Sequence, residues 1–184
     1  MGFVLPSRHE VYVSPLQPAA AEAALAAVVK PRLNWKQKFQ MRNWRRDGKF
    51  MGEVGEGRFS LQRDINYRNS FLPFITGSIA PSQTGAGSDV TVDMKMHKLV
   101  TIFTGFWLLM VSFFAVVVLI AAANGKASLK PGEVFPLFIP FLMLAFGITL
   151  SQVCFRIEAK KAEKFLRSTL NAEVTAVQGR DQVL

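Results

Sequence analysis

"LVTIFTGFWLLMVSFFAVVVLIAAA", residues 99 to 123, decides the fold, because the whole run passes without one charged residue. As a helix rising about 1.5 Å per residue it reaches roughly 37 Å, against a bilayer hydrocarbon core of about 30 Å. A second uncharged run, from Val134 to Phe155, reaches roughly 33 Å on the same arithmetic. Between them lies "NGKASLKPGE", residues 124 to 133, polar and rich in turn formers. An ordinary amphipathic helix of a soluble domain shows a polar face, and neither run has one. The pair therefore predicts a two-helix transmembrane hairpin, with spans at 99–123 and 134–155.

Composition agrees. Half of the 184 residues are apolar and the mean hydropathy is +0.23, too apolar for an ordinary soluble domain of this length. The net charge is +9, and the basic excess lies outside the apolar runs. Residues 1–98 hold 14 Lys and Arg against 8 acids, and residues 156–184 hold 6 against 4. The stretch 99–155 holds only Lys126 and Lys130 against Glu133. Basic flanks stay on the cytoplasmic side, so both termini are expected there, in a bacterial cytoplasmic (inner) membrane, with 124–133 as a short external loop. The early run "PAAAEAALAAVVK" contains Glu22 and is too weakly apolar for a signal h-region, so the N-terminus is expected to be retained. Cys154, the single cysteine, falls inside the second apolar run and reads as a packing residue.

The fold class that follows is an α+β membrane protein. An N-terminal cytoplasmic α+β domain with antiparallel strands (1–98) leads into the hairpin, and an amphipathic helical extension and tail (156–184) follow it. Within the first domain, "EVYVSP" reads as a strand ending at Ser14, and 18–29 as a helix with Leu25, Val28 and Val29 on its apolar face. "KFMGEV" and "GRFSLQRDI" read as a hairpin about Gly55-Glu56-Gly57, with Phe50, Gly52, Val54, Phe59 and Leu61 sharing a face. "FLPFITGSIA" and "SDVTVDMKM" complete the strands, the latter alternating Val90, Val92, Met94 and Met96 with polar residues. After the second span, Ala162, Phe165, Leu166, Thr169 and Leu170 share a helical face, while Glu163 and Arg167 are spaced to pair. That face is expected to dock on the sheet.

Two stretches compete for function. The insert 31–49 threads Trp35, Phe39, Met41 and Trp44 through Lys and Arg residues. Aromatics among cations suit single-stranded nucleic acid. On a membrane chain they suit the headgroup layer better, so Trp35, Trp44, Arg45 and Arg46, with Lys160 and Lys161 of the extension, are expected to contact the membrane surface or a partner, and no nucleic acid is expected. The stretch "NYRNSFLP", 66–73, has two readings: Arg68 and Asn69 hydrogen-bond the backbone where Pro73 bends the chain, or Arg63, Arg68 and Asn69 form an anion or partner site. Catalysis finds no support. His9 and His97 lack metal-ligand spacing to other residues, and neither run carries an ionisable side chain other than Cys154. Nothing resembles a nucleophile elbow or a phosphate-binding loop, so no enzyme activity, cofactor or metal is expected.

The segments "FMGEVGEGRFSLQRDINYRNSFLPFITGSI", "VTVDMKMHKLV" and "FRIEAKKAEKFL" resemble an uncharacterised family of small bacterial two-span membrane proteins with an F-x-L-x-R-x-I-x-Y-R-N-S-F-L-P motif. The resemblance covers roughly residues 50–107 and 155–166, implies this architecture, and brings no catalytic residues with it; the insert 31–49 departs from the family pattern. The function expected from all this is an accessory, scaffold or stabilising subunit of a larger membrane complex, with other membrane subunits as partners. The alternative is a membrane-anchored sensor that binds anionic lipid headgroups. Small residues Gly105, Ala115, Ala145 and Gly147 are expected to let helices pack closely.

Overall fold

The computed structural model describes residues 5–32, 49–65, 67, 69–83, 85–125 and 131–175. Strand β1 (Ser7–Ser14) is followed by helix α1 (Pro18–Val28) and a two-residue strand β2 (Lys30–Pro31). Next come β3 (Phe50–Gly55), β4 (Arg58–Arg63), β5 (Phe74–Pro81) and β6 (Ser88–Lys95). Helices α2 (Lys98–Ala123) and α3 (Pro131–Leu170) follow, and β7 (Glu173–Thr175) ends the described chain. Among the described residues the strands form one seven-stranded mixed sheet in the order β2-β3-β4-β5-β6-β1-β7. Its centre is an antiparallel meander, and the departure from the antiparallel expectation is the β2–β3 pair, which runs parallel because α1 carries the chain across the sheet.

Alternation places the core on one face. Phe50, Phe59, Leu61, Ile75, Ile79, Val90, Val92, Met94 and Tyr12 all point inward and are buried. The outward positions of the same strands, Thr76, Ser78, Thr91 and Asp93 among them, are polar and remain partly or fully exposed. The hairpin β3–β4 closes through Glu56 (φ 56°) and Gly57 (φ 67°). Two successive positive φ values mark the tight turn whose twist matches that of paired strands. The inner face carries no side chain at Gly77, where a Cβ would lie 2.3 Å from the Phe59 ring and 2.4 Å from the Thr91 carbonyl oxygen. The ring of Phe59 occupies the space a larger residue would need.

Two helices cover this inner face. Helix α1 contributes Ala21 and Leu25; Val28, expected on its apolar face, is exposed, because the helix ends there and Val29 turns toward the core instead. Helix α3 contributes Phe155, Ala159, Ala162, Leu166 and Leu170, all buried, with Phe165 stacked on Phe50 at 4.3 Å. The extension thus docks on the chain's own sheet. It ends at Asn171, whose φ of 48° lets the Ala172 N–H donate back to the Arg167 carbonyl, and the Ser14 hydroxyl donates to the Leu170 carbonyl at 2.6 Å. The chain then reverses into β7 beside β1, so the tail expected after the helix adds an edge strand.

Helices α2 and α3 are both long and apolar enough to cross a membrane, and only 17% and 6% of their most apolar windows is buried in the chain. A core helix of a soluble protein would be mostly covered. Helix α2 starts at Lys98, where the His97 ring nitrogen accepts from the Leu99 N–H at 3.3 Å. Helix α3 starts at Pro131, three residues before the uncharged run begins, where Pro fits the first turn of a helix. Thr104, Leu108, Val111 and Ala115 form the buried stripe of α2, and the Trp107 ring lies against Gly147 of α3. Two of the four small residues therefore serve helix packing. Ala145 is exposed and Gly105 has open space where a Cβ would stand.

Gly77→Val should lower stability by about 1–3 kcal/mol or more, the cost of overpacking against a fixed ring and a backbone carbonyl, whereas Gly105→Ala should cost almost nothing. Thermal unfolding of both variants in detergent, followed by circular dichroism, measures the contrast.

Candidate functional site

The most concentrated polar chemistry among the described residues lies where α3 leaves its apolar stretch and meets the sheet. The apolar run ends at Phe155, and three residues later comes Glu158, whose side chain is 2% exposed. A carboxylate is not buried in a helix–sheet interface without partners to replace water. Glu158 has three. Arg63, from the inward-facing end of β4, donates from its guanidinium to Oε2 at 2.7 Å. The Tyr67 hydroxyl donates to Oε1 at 2.7 Å, and Lys161, one turn along the helix, donates to the same oxygen at 2.8 Å. Both carboxylate oxygens are thereby satisfied by donors from three chain segments.

Electrostatics follows from the geometry. Burial alone would push the Glu158 carboxyl up, but the hydrogen bonds from Lys161, Tyr67 and Arg63, with the positive charge of Arg63, outweigh it and hold the group below the ordinary carboxylate range. Burial likewise works against the Arg63 guanidinium, and Glu158 reverses the balance and raises it. Both groups are therefore charged at neutral pH, and the pair is a fixed internal ion bridge.

A second polar chain runs parallel to the first. Arg8 of β1 reaches Glu163 of α3 at 3.1 Å and also pairs with Glu10, which accepts from the buried Tyr12 hydroxyl. Burial, with the Glu10 bond second, pushes the Tyr12 phenol well above its ordinary value. Glu163 also meets Arg167 at 3.6 Å, the pairing expected from their spacing. The helix extension is thus tied to β1 and β4 from two sides.

Two of the three residues that the sequence grouped, Arg63 and Asn69, lie among the described residues. Arg63 faces inward onto Glu158, and Asn69 accepts the Phe71 N–H on its side-chain oxygen at 3.0 Å, a local turn bond ahead of Pro73. Leu72 and Ile75 beyond it are buried. The backbone bond of the structural reading is seen at Asn69 alone; Asn66 and Arg68 lie outside the described residues, as do Trp35, Trp44, Arg45 and Arg46. Lys161 belongs to the bridge, while Lys160 is exposed. Glu158 is the residue that sequence reasoning missed. An acid three residues after an uncharged run of this length, on the helix face of Phe155 and Ala162, was the available signal, since it must find cations or sit in water.

Among the described residues no group of His, Cys, Asp and Glu is arranged to hold a metal ion. His9 meets Asp93 at 3.1 Å on the exposed sheet face, and His97 caps α2. No family model, curated protein or solved structure matches this chain, so its chemistry rests on its own residues.

Replacing Glu158 by Gln leaves Arg63 with a neutral partner in a buried site, and a loss of about 3–5 kcal/mol is expected on breaking such a pair. The sign of the pH dependence follows: the contribution of a carboxylate held below its unfolded value is fully present above the ordinary carboxylate range and disappears as pH falls through the depressed value. Wild-type thermal stability should therefore drop on acidification through that window, and Glu158→Gln should lose the part of the drop that this group supplies. Melting curves against pH for the two proteins decide it.

Proposed function

We propose that the chain is a non-enzymatic accessory or scaffold subunit of a larger bacterial membrane complex. Helices α2 and α3 anchor it in the cytoplasmic membrane, with residues 1–98 and 156–184 in the cytoplasm. The observation that carries this reading is the continuity of α3: one helix of 40 residues, about 60 Å long, supplies both half of the apolar hairpin and one wall of the sheet's core. An anchored domain that only needs to stay near a membrane can hang from a flexible linker. Here the sheet's orientation is fixed relative to the hairpin by buried apolar contacts and by the Glu158 bridge.

The surfaces this geometry presents suit a partner-binding role. One face of the sheet is covered by α1 and α3, and the other, lined by Ser and Thr on β4, β5 and β6, carries no layer among the described residues. The hairpin likewise exposes Phe103, Phe106, Leu109 and Phe113 of α2 away from α3. A second reading, a sensor of anionic lipid headgroups, draws on Arg156 and Lys160, which stand exposed at the end of the apolar stretch of α3.

The test is purification of the tagged protein from its native membrane in mild detergent, after photo-crosslinking from the exposed position Thr76 on the sheet. A stoichiometric set of membrane subunits, with crosslinks from Thr76 to one of them, is expected. A protein that elutes alone, carrying lipid only, contradicts the scaffold reading.

A further inference from the structure

The surface changes from apolar to cationic within one helical turn where α3 leaves its apolar stretch. Val153 and Ile157 are about half exposed, at 47% and 49%, and Arg156 and Lys160 follow on the adjoining face. With Arg8 and Phe155 they line a groove of about 460 Å³ between α3 and the start of β1. The three cations are not equivalent. The Arg8 guanidinium is occupied by Glu10 and Glu163. Neither Arg156 nor Lys160 is in an ion pair among the described residues, although they stand four residues apart, a spacing at which like charges repel. The acid nearest in sequence, Glu158, does not neutralise them because Arg63 and Tyr67 hold its carboxylate in the core.

On the far side of the first residues of β1 a second groove, of about 410 Å³, sets Lys95 and Lys98 beside Leu5, Met96 and Ile102. Lys95 is paired with Asp93 at 3.7 Å, whereas Lys98 at the start of α2, like Arg156 and Lys160 of α3, is in no ion pair among the described residues, so both helices carry an uncompensated cation beside apolar surface at the same junction. A soluble anion would call for the cations alone. A site that also keeps Val153 and Ile157 open beside them fits a ligand with a charged head and an apolar tail.

We propose that the groove between α3 and β1 binds the phosphodiester headgroup of an anionic phospholipid, with the Arg156 fork and the Lys160 ammonium on the phosphate oxygens and an acyl chain lying along Val153. Arg presents parallel donors to a phosphate and Lys adds a point charge one turn away. The site rests on the reading of α2 and α3 as membrane spans. It assigns the lipid a fixed place on the molecule.

The experiment uses the full-length protein in nanodiscs of phosphatidylcholine containing phosphatidylglycerol, with the phospholipid retained after detergent extraction counted by native mass spectrometry. Wild type should retain phosphatidylglycerol in preference to phosphatidylcholine. A basic residue at an anionic surface is worth roughly fivefold in affinity, so Arg156→Gln with Lys160→Gln should weaken retention by roughly 25-fold. The control pair Arg58→Gln with Lys164→Gln removes the same charge from exposed positions elsewhere and should stay within about twofold of wild type. Equal loss in the control, no headgroup preference in wild type, or displacement of the lipid by inorganic phosphate would each overturn the site. Carbonate washing of native membranes separates the two layers of the claim. Protein released by the wash refutes the spans and the site with them, whereas protein that resists the wash but ignores phosphatidylglycerol refutes the site alone.

Discussion

A charge that must be buried if α3 is to reach the sheet governs this structure. Glu158 lies one turn beyond the apolar run, on the helix face that carries Phe155, Ala159, Ala162 and Leu166 into the core. Removing a carboxylate from water costs several kcal/mol unless its partners replace the lost hydration. Arg63, Tyr67 and Lys161 do so, and they come from β4, from the segment after it and from α3 itself. The bridge forms only when helix and strand are in one register. The apolar contacts supply most of the attraction between the two layers, and the charge selects which of the possible sliding positions is occupied.

Other features fall into place around that register. Phe165 stacks on Phe50, Ser14 closes the end of the helix, and Asn171 turns the chain so that β7 can extend the sheet beyond β1. Since Glu158 is turned inward, its exposed neighbours Arg156 and Lys160 keep their charge for the surface. The interaction that fixes the interior thereby also sets the electrostatic character of the junction at which the proposed spans begin.

Much of this was legible in the residues. The alternation at Val90, Val92, Met94 and Met96 has one structural solution, a strand with one buried face, and all four side chains are buried. The hairpin at Glu56 and Gly57 and the two long apolar helices were equally plain, because turn chemistry and the absence of charge are local signals. The pairing of Arg63 with Glu158 was not, since it joins residues 95 positions apart and depends on how a helix sits against a sheet. Arg63 was instead grouped with Arg68 and Asn69, its neighbours in sequence. The parallel pairing of β2 and the edge strand β7 escaped for a related reason: strands of two and three residues carry too few side chains to show a period.

The central claim is that α3 is one rigid element shared by the apolar hairpin and the sheet. Hydrogen exchange across α3 in the full-length protein, held in detergent or in a bilayer and read by mass spectrometry, tests it most directly. The account predicts that the amides of residues 156–170 are protected to the same degree as those at the centres of β5 and β6, because all of them open only when the shared core opens. Rapid exchange across 156–170, alongside a protected sheet and a protected apolar run, would contradict it and make the extension a loosely held appendage.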